Sequence, residues 1–119
     1  MSFPLANTLP KEERLCGKTT VSALIAGGRW GSTAHMKYCF LAGRGDEINR
    51  IMVSVPKKFF KRAVKRNLLK RRIREGYRTQ KDLLLVKGVD ILFQYNSPEI
   101  VDFEVIREEV AYVLRRISK

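Results

Sequence analysis

The spacing of apolar residues divides the chain into a short series of predicted helices and strands. Alternating apolar and polar residues predict β-strands, and apolar residues that recur every three or four positions predict amphipathic helices. These patterns predict a helix at 18–26, strands at 36–42 and 51–55, a helix at 57–81, a strand at 89–95 and a helix at 102–118. Residues 29–34 are predicted to be a polar loop that contains Trp30, and residues 1–10 to be a flexible arm.

Each predicted strand has an apolar face. In the strand at 36–42, Tyr38 and Phe40 point to one side, whereas Lys37, Cys39 and Leu41 point to the other. The apolar faces of the two later strands are formed by Ile51, Val53 and Val55, and by Val89, Ile91, Phe93 and Tyr95. Helices are therefore expected to cover a sheet made of these strands.

The first and last predicted helices have apolar stripes that suit packing on that sheet. In the first helix the stripe consists of Val21, Leu24 and Ile25, and two glycines at 27–28 end the helix. In the last helix it consists of Phe103, Ile106, Val110, Val113, Leu114 and Ile117. The last helix is interpreted as core packing, and no functional site is assigned to it.

The order of these elements predicts an α+β fold, in which helices pack on a small sheet in a single two-layer domain. A chain of 119 residues is long enough to bury a modest core without disulfides. Residues 43–46, with the sequence GRGD, have the composition of a hairpin turn, so the strands at 36–42 and 51–55 are expected to form a hairpin.

Charge changes this picture, because the positive charge of the protein is concentrated in one segment. The chain has 24 basic and 12 acidic residues, which give a net charge of +12. Residues 57–81 hold twelve of the basic residues and a single acid, Glu75, so the rest of the chain has twelve basic and eleven acidic residues. The excess of positive charge therefore belongs to the helix predicted at 57–81.

Within this basic helix, apolar and cationic residues form two separate lines. Leu69, Ile73 and Tyr77 recur every four residues, and Arg66, Lys70, Arg74 and Arg78 form a parallel line of cations. Like charges at this spacing repel by roughly 0.2–0.5 kcal/mol per pair. A bound polyanion would offset the repulsion. A solvated basic face, or a cluster of the nuclear-targeting kind, is the alternative explanation.

Other classes of site and location receive little support from the sequence. Cys16 and Cys39 are isolated and His35 is the single histidine, so neither a zinc site nor a cysteine–histidine nucleophile has its partners. We expect no metal site and no catalytic residue in the protein. The absence of a long apolar run or signal segment, together with two lone thiols, predicts a cytoplasmic location.

Four segments resemble the bacterial ribonuclease P protein family. The sharpest is RNLLKRRIRE at 66–75, which is similar to the family's R-N-x-x-K-R-x-x-R-E signature. Just before it, SVPKK at 54–58 resembles the end of the family's strand and its lysine pair. LIAGG at 24–28 is similar to the end of the first helix, and VDILF at 89–93 to the final strand.

This resemblance implies the order α-β-β-β-α-β-α, with a left-handed βαβ crossover and a mixed sheet. It also implies an accessory role in an enzyme whose catalyst is RNA. That RNA uses Mg²⁺ to remove the 5′ leader of precursor tRNA, and the protein binds both the RNA and the leader. The protein is expected to be a monomer that forms a 1:1 complex with the RNA and to bind no organic cofactor and no membrane.

The resemblance also assigns roles to residues of this chain. The residues expected to bind the catalytic RNA are Lys57, Lys58, Arg62, Arg66, Asn67, Lys70, Arg71, Arg74 and Arg78. The residues expected to line a cleft for the leader are Val21, Ile25, Tyr38 and Phe40. Arginine and lysine suit phosphate oxygens, and aromatic rings suit the stacking of unpaired bases.

Two other binding functions remain open on the residues alone. A ribosomal or general RNA-binding protein would use the same basic helix, with a steep salt dependence and no effect on precursor tRNA cleavage. A DNA-binding module would lay the helix in the major groove, although the chain has no dimerisation heptad or helix-turn-helix spacing. A protein enzyme that acts alone is least supported, because no set of acid, base and nucleophile is present.

Overall fold

The structure is a computed structural model that describes residues 13–15, 17–43, 45 and 47–118. Its elements are α1 (Lys18–Gly27), β1 (Arg29–Ser32), β2 (Met36–Leu41), β3 (Arg50–Ser54), α2 (Ala63–Arg78), a 3₁₀ turn (Lys81–Leu83), β4 (Asp90–Tyr95) and α3 (Phe103–Ile117). The arm predicted at 1–10, Cys16 and two positions of the turn predicted at 43–46 lie outside the described residues.

The four strands form one mixed sheet in the order β1-β2-β4-β3. β2 pairs antiparallel with both β1 and β4, whereas β3 runs parallel to β4. Because parallel neighbours require a crossover connection, α2 carries the chain from β3 back to the start of β4. The predicted α+β class and the order α-β-β-β-α-β-α are confirmed, and the left hand expected for the crossover stays a prediction.

The polar loop predicted at 29–34 is wrong, because its first four residues form the edge strand β1. Four residues are too few to show an alternating pattern, and this strand forms through its pairing with β2. Gly31 lies opposite Tyr38 in that pairing, and a side chain at Gly31 would overlap the tyrosine ring. The absence of a side chain at this position therefore lets β1 lie close against β2.

The hairpin expected between the strands at 36–42 and 51–55 is also wrong. β4 lies between β2 and β3, and the hairpin that does form joins β1 to β2. Its turn is closed by a 2.7 Å hydrogen bond from the Thr33 amide to the Met36 carbonyl. β4 lies in the centre of the sheet, and five of its six residues are buried there. Ile91, Phe93 and Tyr95 lie on one face, whereas Leu92 lies on the other face between Asp90 and Gln94.

The single helix predicted at 57–81 is shorter than expected and begins only at Ala63. Residues 57–59 form a turn, because the Phe60 side chain is buried in the core with its ring 6.0 Å from that of Tyr95. At the other end, Gln80 Nε2 donates to the carbonyls of Gly76 at 2.9 Å and of Arg107 at 3.0 Å. Burial of Phe60 and capping by Gln80 therefore determine where the basic helix starts and ends.

Apolar residues fill both sides of the sheet. α2 and α3 cover one side, where the predicted faces of Tyr38 and Phe40, of Ile51, Val53 and Val55, and of Val89, Ile91, Phe93 and Tyr95 are confirmed. α1 covers the other side, where Leu24 packs against Cys39 and Leu92. The predicted stripe of α3 is confirmed as core, with five of its six residues buried and Phe103 partly buried.

Candidate nucleic-acid interface

The solvent side of α2 carries a ridge of exposed polar residues. Asn67, Arg71 and Arg74 lie at positions i, i+4 and i+7, on the opposite side of the helix from buried Leu69 and Ile73. Within the described residues, the side chains of this α2 ridge make no hydrogen bond or ion pair. The ridge therefore presents two guanidinium groups and one amide that are available to an external partner.

Three more basic residues lie between β3 and α2. Lys57, Lys58 and Arg62 are exposed, and Arg62 occupies the N-cap position of α2 without a side-chain hydrogen bond to the helix. Lys58 Nζ lies 5.0 Å from the centroid of the Phe59 ring. Because the N-terminus of a helix carries a partial positive charge, these cations add to an end of α2 that already attracts anions.

Three other cations of α2, Arg66, Lys70 and Arg78, are engaged or sheltered by the protein. Arg66 Nη1 donates to two backbone carbonyls of the preceding turn, at 2.8 Å each. Arg78 donates to both carboxylate oxygens of Glu75 at 3.1 and 2.5 Å, and this bonding raises the pKa of Arg78 above its usual value. Lys70 is partly buried. The line of Arg66, Lys70, Arg74 and Arg78 therefore contributes mainly Arg74 to the exposed ridge.

A row of polar side chains crosses the side of the sheet that faces α1. The pairing of the strands places Ser32 beside Lys37, Lys37 beside Gln94, and Gln94 beside Ser54. We call these four residues the polar row. Ser32 and Lys37 are exposed, whereas Gln94 and Ser54 are partly buried. The row contains cationic, amide and hydroxyl groups and no carboxylate.

Trp30 lies on the same side of the sheet, at its edge. It pairs with Cys39, which packs beneath α1, and directly paired residues of antiparallel strands point to the same face. The Trp30 side chain is 47% exposed, and Lys37 Nζ lies 5.8 Å from the centroid of its ring. Sequence reasoning missed Trp30 as a candidate, because it placed this residue in a loop.

The four residues predicted to line a leader cleft are not brought together. Val21 packs partly against Cys39 on the α1 side of the sheet, and Ile25, also on α1, is 46% exposed. Tyr38 and Phe40 lie on the opposite side, where their rings stack with centroids 6.4 Å apart. The strand residues that share a side with Val21 are the alternate ones, and they include the polar row and Trp30.

Comparison with known proteins decides the family of the chain. A family model described as Ribonuclease P matches residues 9–118. The chain belongs to the bacterial ribonuclease P protein family. Proteins of this family are the protein component of ribonuclease P, an RNA-catalysed endonuclease that processes the 5′ end of tRNA, and they associate with its RNA.

Relatives in this family match the chain over nearly its whole length. The ribonuclease P protein component of Porphyromonas gingivalis W83 is 31% identical over 126 aligned residues, which cover 99% of this chain and 92% of the relative. That of Chlorobaculum tepidum is 30% identical, with coverage of 98% and 87%. The resemblance of the four sequence segments to the ribonuclease P protein family is thereby confirmed.

Solved structures of ribonuclease P proteins share the fold. The protein from Thermotoga maritima superposes with a TM-score of 0.78 at 30% identity, over 88% of this chain and 97% of that one. The protein from Staphylococcus aureus superposes with a TM-score of 0.77 at 22% identity, over 89% and 95%. In this chain, the segment that resembles the signature of the ribonuclease P protein family lies within α2 and contains all three residues of the α2 ridge.

Acidic residues do not assemble into a metal site in the described ranges. No three His, Cys, Asp or Glu side chains among these residues come together in a way that could hold a metal ion. Glu75, the acid of the basic helix, is bound to Arg78. Among the residues that the structure describes, no helix is long and apolar enough to cross a membrane.

Proposed function

We propose that the α2 ridge binds the RNA subunit of ribonuclease P, while the side of the sheet beside α1 holds the 5′ leader of precursor tRNA. The proposed binding of the RNA subunit rests on one observation, that Asn67, Arg71 and Arg74 are exposed and available to a partner. These three side chains form an exposed stripe, and none of them has a partner among the described residues. The helix that bears them also contains the segment that resembles the family signature.

The chemistry of the ridge suits the backbone of a folded RNA. A guanidinium group presents a planar set of donors that matches two phosphate oxygens, and Arg71 and Arg74 offer two such groups on one stripe. The amide of Asn67 both donates and accepts, so it is able to contact a sugar hydroxyl or a phosphate. The exposed cations of Lys57, Lys58 and Arg62 extend the positive surface at the start of α2.

The leader half of the proposal rests on the polar row. Unpaired RNA is recognised by stacking and by hydrogen bonds to base edges, and the row offers Lys37 for phosphate and Gln94 for bases. Ser54, at one end of the row, is followed after Pro56 by Lys57 and Lys58. A strand of RNA that lies on the row therefore passes directly to the basic segment.

The cleavage chemistry is assigned to the RNA. We infer that the RNA binds the Mg²⁺ ions and that one protein molecule binds one RNA. The net charge of +12 of the protein reduces the repulsion between the two polyanions, the catalytic RNA and the precursor tRNA. Because Mg²⁺ also reduces that repulsion, the protein is expected to matter most when the ion is scarce. The described part of the protein contributes positive charge and hydrogen-bond donors to this process.

The test is cleavage of a precursor tRNA by a bacterial ribonuclease P RNA at low Mg²⁺. The wild-type protein is expected to stimulate cleavage strongly, and R71A/R74A to lose most of that stimulation while it keeps its thermal stability. R115A/R116A is the matched control, because it removes two exposed arginines from the last turn of α3 and leaves the ridge intact. We expect it to stimulate like the wild type.

Two outcomes would contradict the proposal. Equal loss of stimulation by R71A/R74A and R115A/R116A would show that total charge matters and the ridge does not. Binding of the RNA by the wild-type protein without any stimulation would instead favour a general RNA-binding role.

A further inference from the structure

The exposed indole of Trp30 requires an explanation, because large aromatic side chains are mostly buried in folded proteins. Its strand, β1, is short and lies at the edge of the sheet, yet its register holds the side chain on the same side as α1. Gly31, the next residue, lets β1 sit tightly against the Tyr38 ring on the other side of the sheet. Trp30 is thus carried by a strand that is packed against the core, and its ring still reaches solvent.

The ammonium of Lys37 lies beside the Trp30 ring. Lys37 is the diagonal neighbour of Trp30 across the β1–β2 pair, and its ammonium lies 5.8 Å from the ring centroid. Such a cation–π contact on an exposed surface is weak, so a ligand that offers a negative charge competes with it easily. No ion pair holds Lys37 within the described residues. The site therefore combines an aromatic surface with an available cation.

The position of this pair relates it to the rest of the surface. Lys37 belongs to the polar row, which runs through Gln94 to Ser54 and so spans the sheet from β1 to β3. Three spacings between neighbouring strands amount to about 14 Å. Lys57 and Lys58 follow the β3 end of the row. Trp30 lies at the β1 end, which is the end farthest from these two lysines.

We propose that Trp30 and Lys37 form a stacking site for one unpaired nucleotide of the 5′ leader. The base lies against the indole ring, and the ammonium of Lys37 moves to the phosphate of the same nucleotide. Unpaired RNA is the occupant that fits best, because every base has a flat π surface and because the row contains no carboxylate to repel phosphate. This inference rests on the proposed function, since it assigns a leader nucleotide to a specific place on the sheet.

Trp30 is the single tryptophan of the chain, so its fluorescence reports on this site directly. The experiment uses the full protein in complex with a bacterial ribonuclease P RNA and compares a precursor tRNA with the same tRNA lacking its leader. We expect the leader-bearing RNA to quench the fluorescence by stacking and the leaderless RNA to leave it unchanged. Unchanged fluorescence with both RNAs would overturn the inference.

Affinity measurements with variants complete the test. W30A is expected to weaken binding of the leader-bearing RNA by roughly fivefold or more and to leave leaderless binding unchanged, while W30F keeps most of the affinity. I48A is the control, because Ile48 is a 40% exposed apolar residue just before β3, at the opposite edge of the sheet from β1. It is expected to bind both RNAs like the wild type.

The outcomes separate this inference from the proposed function. If the wild-type complex prefers the leader-bearing RNA and W30A keeps the whole preference, the stacking site is wrong and the leader-binding role stands. If the wild-type complex shows no preference for the leader, both are wrong. A loss of preference in W30A and in I48A alike would also overturn the inference, because it would show a general effect of removing an exposed apolar side chain.

Discussion

The guanidinium group of Arg66 donates a hydrogen bond of 2.8 Å to the backbone carbonyl of Phe60. A second bond of the same length reaches the carbonyl of Lys61. Since the Phe60 side chain is buried in the core, these bonds join the basic helix to the turn that enters it. Arg66 therefore holds Lys57 and Lys58 in place relative to α2, in addition to the charge it supplies.

Arg66→Lys is expected to destabilise the protein although it keeps the charge. Both bonds come from one nitrogen, Nη1, which the planar guanidinium holds in a fixed position, whereas the ammonium of lysine is strongly hydrated and sits on a flexible stem. We expect the free energy of unfolding to fall by about 1 kcal/mol, as measured by denaturant titration. Affinity for the ribonuclease P RNA should also fall, by about two- to fivefold. Arg71→Lys is the control, and equal stability losses in the two variants would contradict this role of Arg66.

Arg74→Ala should change the salt dependence of RNA binding. Each phosphate contact that is lost lowers the slope of log affinity against log salt by about 0.7–0.9. For Arg74→Ala we expect this slope to change by the equivalent of about one phosphate contact. Arg115 is an exposed arginine of α3, and Arg115→Ala should leave the slope unchanged. Binding measured over a series of KCl concentrations tests this expectation. A parallel shift without a change in slope would show that Arg74 does not contact phosphate.

Glu109 of α3 fastens the turn between β1 and β2. Its carboxylate accepts a 3.0 Å hydrogen bond from the His35 amide and a bond from the Thr33 hydroxyl, and it lies 2.6 Å from His35 Nδ1. Glu109→Ala is therefore expected to lower the free energy of unfolding by about 2 kcal/mol. Its exposed neighbour Glu108 supplies the control, since Glu108→Ala should change stability by less than about 0.5 kcal/mol.

Tyr77 makes the stability of the protein depend on alkaline pH. Burial, with a smaller contribution from the charge of Glu13, raises the pKa of Tyr77 to about 12, whereas an unfolded tyrosine ionises near pH 10. The folded phenol therefore keeps its proton while the unfolded one loses it. The stability that this group contributes is fully present below about pH 10 and is lost as the pH rises to about 12.

Tyr77→Phe isolates this effect from the titration of other groups. Between about pH 10 and pH 12 the wild type should lose about 2–3 kcal/mol more stability than Tyr77→Phe. Denaturant unfolding at a series of alkaline pH values measures the difference. Parallel pH profiles for the two proteins would show that the phenol ionises alike in the folded and unfolded chains.

The periodic patterns of the sequence were sufficient for the buried and exposed sides of α2 and α3 and for the faces of three strands. The line of Leu69, Ile73 and Tyr77 is buried, and the opposite side of the same helix carries Arg71 and Arg74. A helix has a fixed number of residues per turn, so its buried and exposed sides can be read from local spacing. The concentration of charge in this helix likewise needed no coordinates.

Local spacing was insufficient where long-range pairing decides the structure. The alternation in β2 separates Tyr38 from Cys39, but it does not say which helix covers which side, and α1 covers the side of Cys39. For this reason, the predicted cleft combined residues of α1 with the face of β2 that α2 and α3 cover. The identity of β1 as a strand depends on its partner β2, which a four-residue segment cannot reveal.

Composition, periodicity and a contiguous signature are properties of neighbouring residues, so they were enough to predict the fold class, the family and the basic helix. The tertiary structure alone decided that β4 separates β2 from β3 and that Trp30 shares a side of the sheet with Lys37. It also decided that burial of Phe60 delays the start of α2. These features depend on contacts between distant segments, and their energies come from packing that no local pattern records.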